Sequence, residues 1–288
     1  MTVTIAKRES RLGWKLIAPS LGVIGLLIIY PVVYNFYLSF FDVRLTGEKI
    51  FIGLENYERL IKDGAFYSSV ITTIIYLAGS VAGSTLVGLF VALLMNLRFP
   101  LRNAVRAIIL LPYFAPVIAV VFGWQFIFDP VNGIYNHVVV EILGITGSRQ
   151  NLIGNPKTAL LIVVLFDIWK HFPISYLLII SKLQSINRDQ YEAAAIDGCG
   201  PVGRFFHVTL PEIYFVLGTL VILRLIWNIN KFEDVFLLAP NVKTLPVFTY
   251  YTAFTGIIDQ GFAASVSVFQ FIMLSLLVFF YVKKVLKW

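Results

Sequence analysis

The sequence predicts an all-α integral membrane protein: six transmembrane helices in one domain covering residues 1–288. Three observations carry this prediction. First, 58% of the residues are hydrophobic and 14% charged, whereas soluble domains run near 45–50% and about 25%. A water-soluble fold of this size cannot hide so much apolar surface behind so few charges. Second, the apolar residues gather into stretches of membrane-crossing length. Third, the basic residues are distributed unequally between alternate loops. Disordered, fibrous and disulfide-scaffold classes are excluded, since the single cysteine, Cys199, leaves no partner for an internal disulfide.

A span needs about 20 mostly apolar residues, and such stretches run at about 16–40, 67–97, 106–128, 158–182, 213–230 and 262–282. The first follows a basic segment and contains Pro19 and Pro31. Its apolar run exceeds a signal-peptide core and no small-residue cleavage site follows, so it is expected to remain as an uncleaved helix. In the loop after it, at about 41–66, Leu54, Tyr57, Leu60 and Ile61 recur at helical spacing and predict a short amphipathic helix. The second span carries Gly79 and Gly83, a small-xxx-small pair suited to close helix contact. The third contains Pro112 and Pro116, and the fourth Pro173. Proline removes a backbone hydrogen bond, so each of these either kinks its helix for packing or interrupts it beside a cavity. The fifth carries Arg224 and frays into Asn228, Asn230 and Lys231, and the sixth is uninterrupted. No outer loop is long enough for a folded domain.

Orientation follows from the basic residues. Thirteen of the 23 Lys and Arg residues lie in the N-terminal segment (Lys7, Arg8, Arg11, Lys15), the second loop (Arg98, Arg102, Arg106), the fourth loop (Lys182, Arg188, Arg204) and the tail (Lys283, Lys284, Lys287). The first, third and fifth loops hold eight, beside ten acids. The positive-inside rule therefore places both termini and the second and fourth loops in the cytoplasm. The net charge of +7 is a consequence of topology, and nucleic acid is not needed to explain it. The expected location is the plasma or inner membrane, with several passes.

Charges within the spans are costly in hydrocarbon and usually face a bundle interior or a wet cavity. Asp167, Lys170, His171 and Ile174 share one helical stripe of the fourth span, and Arg224, Asn228 and Lys231 share another on the fifth. With Trp169 and Trp227 beside them, the stripes form a candidate hydrophilic binding site with aromatic walls. The alternative is that Asp167 and Lys170 neutralise each other at i,i+3 and Lys231 marks a helix end.

The fourth loop, about 187–211, holds the most specific pattern. From Asn187 to Ile196 it predicts a short amphipathic cytoplasmic helix stopped at Gly198, of a kind that can dock in another protein's groove. Here Glu192-Ala193-Ala194, Gly198 six residues after that Glu, and Val208-Thr209-Leu210-Pro211 resemble the EAA loop of ABC importer permeases. Gly53-Leu54-Glu55-Asn56-Tyr57, the spacing of Arg106, Pro112 and Pro116, and Ala263-Ala264-Ser265-Val266 are similar to the carbohydrate-uptake branch, in particular the first permease subunit of maltose- and glycerol-phosphate-type transporters. Ala239-Pro240-Asn241 stands where that family has a Gly-Gly-Pro stretch.

The resemblance implies a maltose-type transmembrane fold. Tyr191, Glu192, Ala193, Ala194, Asp197 and Gly198 would then form the coupling helix against a cytoplasmic ATPase subunit, with Glu192 able to pair with a basic residue there. It also implies sugar binding at Asp167, Lys170, His171, Ile174, Arg224, Asn228 and Lys231. The implied partners are a second permease, two copies of the ATPase subunit and an extracytoplasmic solute-binding protein. ATP and Mg would be bound by the ATPase subunits, and this chain would carry no cofactor.

The common catalytic motifs are absent. There is no Gly-x4-Gly-Lys-Ser/Thr loop, so the chain is not expected to hydrolyse ATP. Neither Gly-x-Ser-x-Gly nor His-Glu-x-x-His occurs, and His137, His171 and His207 lack metal-ligand spacing in sequence. Two rival functions remain. Lys170, Arg224 and Lys231 outnumber Asp167, which suits an anionic solute such as a sugar acid or glycerol phosphate. An ion-coupled secondary transporter could use Asp167 as a proton site, although the internal repeat expected of one is not seen.

Overall fold

The computed structural model describes residues 2–43 and 48–285. Lys287 lies outside the described residues, as do the side chains of Lys7, Arg8, Arg11 and Lys284. The chain packs as two compact units, Met1–Asp63 with Thr249–Ile272 and Gly64–Phe248 with Met273–Trp288.

In the first unit, α1 (Thr2–Ile24) passes through a π-turn (Gly25–Ile29) into α2 (Tyr30–Leu38). The π-turn ends two residues before Pro31, which lacks an N–H and crowds the preceding turn. The Tyr30 N–H accordingly reaches back five residues, to the Gly25 carbonyl. Two short strands follow, β1 (Phe41–Val43) and β2 (Lys49–Phe51), antiparallel with Phe41 opposite Phe51. Three-residue strands leave no periodic signal, and the sequence did not reveal them. The amphipathic helix foreseen in this loop is α3 (Glu55–Lys62). Its buried face carries Asn56 and Leu60, whereas Leu54 and Ile61 stay exposed. Asn56 earns its burial by donating to the carbonyls of Ser39 and Phe41, each at 3.0 Å. Arg59 pairs with Asp259 at 2.8 Å, just ahead of α14 (Gln260–Val285).

The second unit is built on α4 (Gly64–Asn96) and α8 (Pro156–Ser185), which make the most extensive helix contact among the described residues. Small residues allow it. A Cβ at Gly79 would lie 2.9 Å from Val164, one at Gly83 would clash with the Ile168 side chain, and one at Gly88 would clash with Ser175 and lie 2.9 Å from the Tyr176 backbone nitrogen. Ala92, Tyr176, Ile179, Leu183, Ile213 and Leu220 continue the seam as a buried apolar cluster.

Between these helices lie α5 (Arg102–Phe114), α6 (Val117–Ile127) and α7 (Ile134–Asn136). The single third span expected at 106–128 is in fact two helices, α5 and α6, meeting at 93°. Pro116 forces the change: the residue before it is driven out of helical conformation, and Ala115 is extended at φ −67°, ψ 137°. Pro112 and Pro173, by contrast, are carried inside their helices.

After α8 come α9 (Arg188–Ile196), α10 (Pro201–Arg204) and α11 (Leu210–Ile229), the last two joined by a π-turn at Phe205–Thr209. The fifth span thus begins at Pro201, twelve residues before the expected 213, because Pro201 and Pro211 both sit in first-turn positions where proline is tolerated. The segment beyond it holds α12 (Glu233–Leu238) and α13 (Leu245–Phe254) in place of the expected loop. Among the described residues, five helices are long and apolar enough to cross a membrane, or six if the bent α5–α6 pair counts as one span.

The α4–α8 contact makes a prediction. Gly88→Val should destabilise the detergent-solubilised protein by about 1–3 kcal/mol, the usual cost of overpacking. Gly123→Ala, at a position open to 4 Å, should leave thermal unfolding near wild type. Equal melting of the two variants would show that the contact is not close.

Candidate functional site

The polar stripes of α8 and α11 converge. Asp167, wholly buried on α8, accepts from Arg224 Nη2 at 2.6 Å, Asn228 Nδ2 at 3.1 Å and Tyr76 OH at 3.2 Å. One helical turn on, His171 Nδ1 lies 3.1 Å from Asp167 Oδ1 and 3.0 Å from its backbone oxygen. His171 Nε2 lies 2.8 Å from Lys231 Nζ. An ammonium only donates, so His171 accepts at Nε2 and carries its proton at Nδ1, directed at Asp167.

A second carboxylate completes the cluster. Asp234, in the first turn of α12, receives Lys231 at 3.0 Å and Lys170 at 3.4 Å. Asp167 and Lys170 therefore do not neutralise each other along α8; each finds its principal partner on another element. Lys231 does more than mark a helix end, since it touches both His171 and Asp234. Arg224 Nε, Arg224 Nη1 and Asn228 Oδ1 find no partner among the described residues.

Asp167, His171 and Asp234 each bring a ligand atom within 4.8 Å of the others, a convergence invisible in the spacing of the histidines. Arg224, Lys170 and Lys231 already neutralise both carboxylates, and a divalent cation would be opposed by all three.

Beside the cluster is an open cavity of about 620 Å³, whose lining includes Tyr113, His171, Trp227, Lys231 and Glu233. The break in the third span makes room for it, because Ala115 and Val117 on either side of Pro116 also line the wall. Of the two tryptophans expected as walls, only Trp227 takes part. Trp169 instead packs against Trp124, with ring centroids 5.7 Å apart. Ile174 is half-buried and lies outside the lining.

Sequence reasoning missed Asp234, Tyr76 and Tyr113. Asp234 stands at i+3 from Lys231, a usable signal, but it was counted with the loop charges. Nothing distinguishes Tyr76 and Tyr113 among 14 tyrosines.

The second candidate site is α9. Asn187 caps it by accepting from the Asp189 N–H. Gly198, at φ +82°, ends it: the Cys199 and Gly198 N–H groups return to the carbonyls of Ala194 and Ala195. Glu192, Ala193, Asp197 and Gly198 are exposed, and Ala194 is half-buried. Tyr191 turns the other way, packing on the apolar cluster of α4 and α8 and meeting Thr209 Oγ1 at 3.0 Å. Ile196, not singled out from sequence, is 87% exposed at the helix end.

Residues 84–286 match the family described as binding-protein-dependent transport system inner membrane component. The chain is 41% identical over 261 residues to the inner membrane ABC transporter permease protein YcjO of Escherichia coli (strain K12), covering 90% of this chain and 89% of that protein. It is 34% identical to the trehalose/maltose transport system permease protein MalF of Thermococcus litoralis, covering 98% and 96%. A crystal structure of a bacterial ABC transporter involved in import of the acidic polysaccharide alginate superimposes with a TM-score of 0.78 over 98% of this chain and 97% of that one, at 18% identity.

The cluster can be tested by removing one charge at a time. Asp167→Asn strands Arg224 in the interior and should cost about 3–5 kcal/mol. Adding Arg224→Met to it should recover a large part of that loss, measured by thermal unfolding in detergent. Additive losses in the double variant would refute the pairing.

Proposed function

The chain belongs to the binding-protein-dependent transport system inner membrane component family, and from that membership we propose that it forms one half of the translocation pathway of an ATP-driven sugar importer. As a transmembrane component of an ABC transporter it is itself non-catalytic and resides in the inner membrane. In the proposed reading the bent third span completes a six-span bundle with both termini cytoplasmic. A second permease pairs with it, an extracytoplasmic binding protein delivers the solute, and two ATPase subunits bind ATP and Mg. Closure of those subunits pushes α9 and reopens the pathway inward.

The observation that carries the sugar reading is the cavity beside the Asp167 cluster. It offers the half-exposed Trp227 as a ring platform and the rim of Lys231 and Glu233 as polar partners for hydroxyls. The similarity to a trehalose/maltose permease over nearly the whole chain supports it.

An anionic solute is the second reading, because Lys170, Arg224 and Lys231 still exceed Asp167 and Asp234 by one charge. Glu233 on the cavity rim offsets that excess, which favours a neutral solute. The secondary-transporter alternative is displaced by family membership. Asp167 is moreover occupied by four donors and has no place in such a scheme as a free proton carrier.

Two outcomes follow for the assembled transporter in proteoliposomes. Neutral sugars should compete with uptake and sugar acids or glycerol phosphate should not; the reverse pattern would select the anionic reading. Glu192→Lys should abolish ATP-driven uptake, since like-charge contact across an interface costs several kcal/mol. Full uptake by that variant would remove α9 from the coupling role.

A further inference from the structure

A single carboxylate ties α9 to both spans that flank it. Glu212, in the first turn of α11, gives its two oxygens to different elements. Oε2 accepts from Lys182 Nζ, in the last turn of α8, at 2.8 Å. Oε1 accepts from Gln190 Nε2, on α9, at 3.3 Å. The next residue of α9, Tyr191, meets Thr209, three residues before Glu212. Consecutive residues of α9 are thus pinned to two points at i,i+3 spacing at the start of α11, and the same carboxylate holds the end of α8.

The backbone offers no comparable link. Ile186 and Asn187, between α8 and α9, are both extended, and the exit from α9 turns at Gly198 in the left-handed region. Joints of this kind pass little displacement from one helix to the next. A charge-assisted bridge between side chains holds its distance far better. The elements it joins, α8 and α11, are the two that carry Asp167 and Arg224.

We propose that Glu212 is the positioning residue that makes α8, α9 and α11 move as one body, so that a push on the exposed face of α9 reaches both polar stripes together. The proposal rests on α9 being the segment that the ATPase engages.

The test is uptake per ATP hydrolysed by the complete transporter in proteoliposomes, a ratio that a merely structural defect, lowering the amount of active complex, would not move. Glu212→Gln keeps the shape and a contact to Gln190 but loses the charge opposite Lys182, and Lys182→Met removes the same link from the other side. Each should lower the ratio by at least about fivefold, the low end of measured coupling between sites. Combining Lys182→Glu with Glu212→Lys should restore most of it, because the reversed pair spans the same gap and the Gln190 amide can present its oxygen. Wild-type ratios in either single variant, or a lost ratio that the reversed pair does not recover, would overturn the proposal. Failure of the underlying reading looks different: Glu192→Lys would then leave both uptake and ATP hydrolysis intact.

Discussion

Arg224 cannot shed its charge inside a bundle, and the ion pair it makes with Asp167 is the constraint around which the second unit is arranged. Taking a guanidinium and a carboxylate out of water costs several kcal/mol for each, recovered only when geometry is good and the remaining lone pairs are occupied. Tyr76 from α4, Asn228 from α11 and His171 from α8 occupy them. Three long helices are thereby fixed in rotation as well as in position, because a helix turned by one residue would withdraw its donor.

Close approach is the second requirement, and it is met by absence. At Gly79 and Gly83 the α4–α8 seam is glycine where the partner helix is bulky, so Tyr76 can reach Asp167 without an intervening layer of side chains. The α5–α6 pair satisfies the opposite need. An unbroken helix would leave its apolar side chains against the cluster, whereas the turn at Pro116 withdraws α6 and leaves a cavity with both polar and aromatic walls.

The sequence showed most of the scaffold, because span-length apolar runs and unequal loop charge are strong signals of a membrane environment. The short helix α9 was equally legible: Asn187, the alanines and Gly198 are a start, a body and a stop. What could not be read was partnership. Spacing along one helix suggested Asp167 with Lys170, yet the fold gives Asp167 to Arg224 and Lys170 to Asp234, contacts 57 and 64 residues away in the chain. Pro112, Pro116 and Pro173 looked alike in sequence, and only at Pro116 does the chain turn. α12 and α13 were missed because short helices beyond the fifth span have neither the length nor the apolar content that marks a crossing.

The ion-pair cluster also bears on how such a protein can change over generations. Its charged members are largely occupied by one another, while Tyr113, Trp227 and Glu233 stand at the cavity rim with no ion pair among the described residues. If the cavity is the solute site proposed above, substitution at the rim would alter what it accepts without disturbing the bonds that hold the helices. A lineage built on this plan could then diversify its cargo while inheriting its frame unchanged.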